Sequence, residues 1–209
     1  MRGGIRFGAM ARSKEFDPDV VLDAAMRMFW RDGYARTSTH QLVAELGIAR
    51  ASLYGTFGSK RGLYLAALDR YLTGAGGQAP ELVAQQAESG LAAVRALLEA
   101  ATALPEQGLP PGCFSVNATV EHGDGDSEVS PRLDRNRLRM ESVFKGALAQ
   151  ARTEATLRAD VDLDMAAVLL STVLTGLQVL SRAGDSQSHR IAQTIDATLT
   201  VLFTSEQLQ

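Results

Sequence analysis

The residues with the clearest chemical potential lie between positions 38 and 60, in the string STHQLVAELGIARASLYGTFGSK. Arg50, Ala51, Ser52, Tyr54, Gly55 and Thr56 fall on the outward side of one short helical segment, and Leu53 and Phe57 fall on its inward side. Small or polar side chains in that arrangement suit a helix entering the major groove of a duplex, where base edges are read by short polar contacts. Ser38 and Ser59 each stand just ahead of a helical segment, with Thr39 following the first and Lys60 the second. A helix N-terminus presents free backbone N–H groups to phosphate. Lys60 adds a positive charge beside one of them.

For these side chains to act together, two short helices must cross steeply through a tight turn. Gly47 can supply the positive φ such a turn needs. Leu42, Leu46, Ile48, Leu53 and Phe57 would form the small core that holds the angle. Ser38 with Gln41 three residues on is a capping-box pair. Ahead of them, Asp17-Pro18 starts a helix whose apolar residues Val21, Ala25, Met28 and Phe29 share one face, and Gly33 ends it. Ser59 caps a fourth helix with Leu63, Ala67 and Tyr71 four apart.

After a break at Gly74, Gly76, Gly77 and Pro80, helices are predicted over about 81–103, 113–122, 130–156, 162–182 and 187–204. Gly108 to Gly112 and the acidic stretch Glu121–Glu128 are predicted loops. The segment CFSVNATVEH is rich in β-branched residues, yet Cys113, Val116, Asn117 and Val120 share a helical face and no partner strand exists, so it is assigned to helix. The expected fold is all-α.

Residues 15–75 resemble the DNA-binding domain of TetR/AcrR-type bacterial transcriptional repressors. The resemblance rests on AAMRMFWRDGYARTST and on LVAELGIARASLYGTFGSKRGLYLAAL, which contains the family's Gly-Ile/Val-x-x-x-x-Leu-Tyr-x-x-Phe-x-Ser-Lys string. It implies a three-helix DNA-binding domain with a helix-turn-helix, followed over 76–209 by a helical effector-binding and dimerisation domain; the Gly- and Arg-rich residues 1–14 are expected to be a flexible lead. It further implies that Tyr54 and Lys60 touch phosphates while Arg50, Ala51, Ser52, Gly55 and Thr56 face bases. Ala49 departs from the Ser or Thr that usually caps the recognition helix. Gly55 stands where the family often has a large side chain. More loosely, GCFSVNATVE resembles the Gly-Cys-Leu-x-x-Asn segment of one branch, and LLSTVLTGLQVLSRAG its penultimate helix. The expected function is a ligand-responsive repressor that binds a palindromic operator in double-stranded DNA as a homodimer and is released by a small-molecule effector.

Composition agrees with a globular chain: 45% hydrophobic and 22% charged over 209 residues. The net charge of −3 hides an asymmetry, since residues 1–72 carry 11 Lys and Arg against 7 Asp and Glu, and 73–209 carry 10 against 17. A basic front suits a polyanionic partner. The N-terminus has no apolar signal core, and the longest uncharged run, Met165 to Ser181, includes Ser171, Thr172, Thr175, Gly176 and Gln178. A cytoplasmic protein without membrane partner is therefore expected. No nucleophile-elbow, Walker, HExxH or dinucleotide motif is present, so no catalytic residues and no cofactor are expected.

Three features leave alternatives open. Cys113, the only thiol, reads as a small core hydrophobe or as a redox or electrophile sensor. His122 with Glu121, Asp124, Asp126 and Glu128 lacks metal-ligand spacing and reads as a solvated acidic loop, with no metal expected. Arg132, Arg135, Arg137 and Arg139 read as an exposed basic face, or as contacts for an anionic effector. A small helical enzyme and a dimerisation protein that does not bind DNA are the rival classes. The effector pocket is expected among Leu97, Ala101, Cys113, Phe114, Asn117, Phe144 and Leu148, with Val173, Leu177 and Gln178 at its wall. The dimer seam is expected at Val168, Thr172, Leu174, Thr175, Val179, Ile195 and Leu199.

Overall fold

The structure, a computed structural model, describes residues 16–75, 80–100, 102 and 109–204. Among these residues ten α-helices follow one another: α1 Pro18–Asp32, α2 Thr39–Leu46, α3 Arg50–Phe57, α4 Lys60–Arg70, α5 Pro80–Gln86, α6 Gly90–Ala100, α7 Phe114–His122, α8 Ser130–Thr153, α9 Leu163–Arg182 and α10 Ser188–Leu202. No β-strand occurs among the described residues. One isolated antiparallel bridge joins Leu157 to Phe203 and pins the end of α10 beside the turn after α8.

The helix boundaries have local causes. Asp17 Oδ1 accepts the Asp19 N–H at 2.9 Å, with Pro18 in the first turn. Ser38 Oγ accepts the Gln41 N–H at 3.2 Å while Gln41 Oε1 accepts the Ser38 N–H at 2.8 Å, the reciprocal capping box. Such caps are each worth about 1 kcal/mol. Gly47 turns at φ 64°, ψ 26°, a conformation costly for side-chain-bearing residues. Ala49 precedes α3 with no side-chain cap. Ser59 Oγ accepts the Gly62 N–H at 2.9 Å, and a Cβ on Gly62 would lie 2.1 Å from the Phe57 carbonyl oxygen, so only glycine lets α4 start directly beneath α3.

Two clusters of buried side chains form. The first joins α1–α4 around Phe29, Leu42, Leu53 and Tyr64, and it also takes Phe114 and Ala118 from α7 and Val129 ahead of α8. The second joins α5, α6, α8, α9 and α10 around Leu97, Phe144, Leu148, Leu170 and Leu199. Helix α7 therefore belongs by packing to the N-terminal unit, although it follows the predicted boundary by some forty residues.

Four expectations are corrected. The helix predicted over 81–103 is two, α5 and α6, because Ser89 Oγ caps a new start by accepting the Ala92 N–H at 3.1 Å. Gly90 lets that start press on α8, since a Cβ there would lie 2.3 Å from the Ala151 nitrogen. The stretch Glu121–Glu128 is not a plain loop: Glu121 and His122 finish α7, and a 3-10 turn follows over Gly123–Gly125. Ile195 and Leu199 are 3% and 0% exposed inside the second cluster, so they do not form a surface seam. Phe114, Phe144 and Leu148 are likewise spent on cluster packing rather than on a pocket. Ala101 lies outside the described residues.

Helix α9 is long and apolar enough to cross a membrane by length and composition. Its packing gives a different reason for that composition: one side lies against α8 and α10, and the other carries an exposed apolar stripe.

Candidate nucleic-acid interface

Helix α3 buries Leu53 completely and leaves Arg50, Ala51 and Gly55 exposed, with Ser52, Tyr54 and Thr56 partly exposed. Arg50 Nη2 donates to Tyr54 Oη at 3.3 Å, and the guanidinium lies 5.5 Å from the Tyr54 ring centroid. The Arg50 hydrogen bond holds the Tyr54 phenol below its ordinary pKa, aided by a hydrogen bond with Thr39. Thr39, Arg50 and Tyr54 thus converge across the α2–α3 turn, beside the capped N-terminus at Ser38. At Gly55 an added Cβ would meet nothing within 4 Å, so the flat spot on this face is not required by packing.

Lys60 is partly internal. Its Nζ donates to the Tyr34 carbonyl at 2.5 Å and sits 4.1 Å from the Tyr34 ring centroid. Burial lowers its pKa, and Glu121 acts against that shift. Two of its three ammonium protons remain for a partner beside Ser59.

The corner between α1 and α2 is held from below. Glu121, in the last turn of α7, accepts the Tyr34 N–H at 2.8 Å and the Ala35 N–H at 2.6 Å. One turn earlier, Asn117 Nδ2 donates to the Trp30 carbonyl at 3.1 Å, so Asn117 ties α7 to α1 and does not line a pocket. Asp126 pairs with Arg61, which holds its carboxyl down at about 2, and Glu128 also reaches Arg61, at 3.4 Å. His122 packs between Tyr34 and Tyr64 with Nδ1 3.3 Å from Asp126. The acidic stretch is therefore a seam between the end of α7 and helices α1–α4. Spacing along the chain could not show this, because its partners lie some sixty to ninety residues away. Among the described residues no group of three or more His, Cys, Asp or Glu is placed to hold a metal.

On the far side of α7 lies a cavity of about 810 Å³. Its wall includes Trp30 from α1, Tyr71 after α4, Ser115, Val116, Thr119 and Val120 from α7, and Leu174, Thr175, Gln178 and Val179 from α9. Of the predicted pocket residues, Leu97, Cys113 and Gln178 line it, whereas Val173 and Leu177 do not. Trp30 and Tyr71 were missed because the N-terminal unit was not expected to supply a wall. The Cys113 thiol accepts from the Tyr71 hydroxyl at 3.2 Å and lies 3.0 Å from Ser115 Oγ. Burial, reinforced by Cys113, raises the Tyr71 pKa. Arg132 is not a free surface charge, since it bonds Asp69 at 2.8 Å, and Arg139 bonds Glu81 at 2.5 Å.

Beside the cavity, α9 turns Met165, Val168, Leu169, Thr172 and Val179 outward, an apolar stripe at helical spacing. Met165 and Leu169 belong to it although sequence reasoning left them out. Thr175 and Val179, predicted for a seam, also border the cavity.

Residues 21–67 match the family model for bacterial regulatory proteins of the tetR family, and residues 90–196 match the tetracyclin repressor-like C-terminal domain. The chain is 31% identical over 195 residues to the uncharacterized HTH-type transcriptional regulator YezE of Bacillus subtilis (strain 168), spanning 92% of this chain and 100% of that protein. It is 30% identical to the HTH-type transcriptional repressor ComR of Escherichia coli (strain K12), over 84% of each chain. The fold superposes with a TM-score of 0.79 on a cysteine mutant of the TetR family transcriptional regulator CifR complexed with 26-bp double-strand operator DNA, at 29% identity, covering 92% of this chain and 100% of that one. With both of its units matched, the chain belongs to the TetR family of bacterial regulatory proteins.

Proposed function

We propose that this protein is a repressor that binds a palindromic operator as a homodimer and releases it when a small molecule occupies the cavity. It is read as a binding protein and not as an enzyme. The observation that carries the reading is the double use of α7. One face of that helix lines the cavity with Ser115, Val116 and Thr119, and the other holds the DNA-binding unit through Asn117 and Glu121. A ligand that favours one setting of α7 then biases the placement of α3. Two copies of α3 must sit about 34–36 Å apart to enter successive major grooves. The shift in affinity is bounded by the ligand's differential binding to the two settings.

The test begins with selection of DNA fragments by the wild-type protein. On the recovered fragment, Arg50→Ala should change preference at particular base pairs, each costing about 1–3 kcal/mol. Lys60→Ala should instead weaken all sequences alike and flatten the salt dependence by about one unit of slope per subunit. If both variants bind as the wild type does, α3 is not the reading helix.

A second reading, in which Cys113 senses oxidants or electrophiles, has the thiol's place on the cavity wall in its favour. Its hydrogen-bonding neighbours are the neutral hydroxyls of Tyr71 and Ser115, which stabilise a thiolate less than a cation does. Cys113→Ser is accordingly expected to lose some stability and to answer diamide as the wild type does in a gel shift. A diamide-driven release that Cys113→Ser abolishes makes the thiol the sensor.

A further inference from the structure

We infer that the cavity takes an uncharged, ring-bearing compound carrying hydroxyl groups. The inference rests on the effector reading above and names the chemistry of that site. Four hydroxyls on the cavity wall have already spent their protons on backbone. Thr119 Oγ1 donates to the Ser115 carbonyl at 2.9 Å, and Ser130 Oγ to Gly123 at 2.9 Å. Thr175 Oγ1 donates to Ser171 at 3.0 Å, and Ser181 Oγ to Gln178 at 2.9 Å. A hydroxyl has one proton and two lone pairs, so each of these oxygens meets a ligand as an acceptor. A ligand satisfies them by donating, which an alcohol or phenol does and an ether or ketone does not.

Among the described residues, the charged side chains that line the cavity are already paired. Arg139 gives two hydrogen bonds of 2.5 Å to Glu81 and one of 3.0 Å to the Leu72 carbonyl. Arg137 bonds Glu141 at 2.9 Å and lies 3.5 Å from Asp134. An ionic ligand would compete with these pairs or meet the apolar part of the wall without a partner, and an unpaired charge away from water is costly. Ser115, Asn136, Ser171 and Gln178 add uncharged polar groups, which an alcohol can meet as donor or acceptor, and most of the remaining wall is apolar. Trp30 and Tyr71 meet edge to face at 5.0 Å, with Leu97, Met140 and Leu174 around them. The indole N–H of Trp30 is buried with no hydrogen-bond partner among the described residues. A volume of about 810 Å³ admits a compound of several fused rings.

Trp30 is the only tryptophan and lines the cavity, so its fluorescence reports occupancy. The full-length protein is titrated with four pyrenes that differ in one substituent: 1-pyrenemethanol, its methyl ether, 1-pyrenecarboxylate and 1-pyrenemethylammonium. The alcohol should quench Trp30 with a Kd about fivefold or more below that of the ether, the worth of one hydrogen bond, and further below those of the two ions. Thr119→Val should shrink the alcohol-to-ether ratio and leave the Kd of the ether unchanged. Equal binding of alcohol and ether, preference for either ion, or no quenching by the alcohol overturns the inference. A gel shift on the selected fragment separates the two claims. If the alcohol binds without releasing DNA, the ligand chemistry stands and the effector role falls. If the carboxylate binds and releases DNA, the effector role stands and the ligand chemistry falls.

Discussion

A protein carrying both Val168→Glu and Leu169→Glu is expected to behave as a monomer of 22.3 kDa and to lose about 10²–10⁴-fold in operator affinity. Met165, Val168, Leu169 and Val179 are 70%, 46%, 44% and 53% exposed along α9, and Val201 is 59% exposed on α10. So much exposed apolar surface on adjacent helices is the observation behind the proposed seam. At Gly176, within the stripe, an added Cβ meets nothing within 4 Å among the described residues, which leaves room for close approach from outside. In the proposed homodimer, glutamates at 168 and 169 would be buried in the seam close to those of the partner, and burying unpaired like charges is strongly unfavourable. These two positions lie outside the cavity wall, unlike Val179, so the variant reports assembly without touching the ligand site. Leu199→Glu is the wrong test, because Leu199 is fully buried and the change would unfold the subunit. Light scattering, with circular dichroism to show intact helices, decides the matter. A wild-type monomer at micromolar concentration, or a dimeric double variant, sinks the proposed seam.

How much could be read in advance followed the range of the interaction. Caps and turns are written within four residues, so Asp17-Pro18, the Ser38–Gln41 box, Gly47 and Ser59 located α1 to α4 and the exposed face of α3. The split of α5 from α6 was also local, in Ser89-Gly90, but the apolar pattern running through it hid the signal. Side chains whose partners are distant in sequence were misjudged. Asn117 looked like a pocket residue because its helix does line the cavity, yet a turn of roughly 100° per residue takes it to the opposite face, toward Trp30. Ile195 and Leu199 have the spacing of any apolar face, and periodicity cannot say whether that face meets its own subunit or another. The acidic stretch after α7 read as solvated because Arg61, Tyr34 and Ala35 are invisible from its own sequence.

Glu121 gives the sharpest expectation for that seam. Its two carboxylate oxygens accept the N–H groups of Tyr34 and Ala35, residues that continue the chain from the end of α1 toward α2. Gly33, at φ 82°, brings the backbone in so closely that a Cβ would lie 3.1 Å from Glu121 Oε2. Lys60 grips the same corner from the other side through the Tyr34 carbonyl. Hydrogen bonds to a charged acceptor are worth about 1.5–3 kcal/mol when protected, and less where water competes. Glu121→Ala leaves both N–H groups to water, so amide exchange at Tyr34 and Ala35 should accelerate about tenfold or more, while exchange in α8 and α9 stays as it was. Glu121→Gln keeps one neutral acceptor and should fall between. The loosened corner should also lower operator affinity, because the α1–α2 corner next to the helix pair that carries α3 is then held to α7 by fewer contacts and α3 spends less time at the groove spacing. Wild-type exchange at both amides in Glu121→Ala would show that the corner is rigid by itself. Transmission from the cavity would then fall to the other ties between this helix and α1–α4, among them Asn117 to Trp30 one turn earlier and the packing of Phe114 and Ala118.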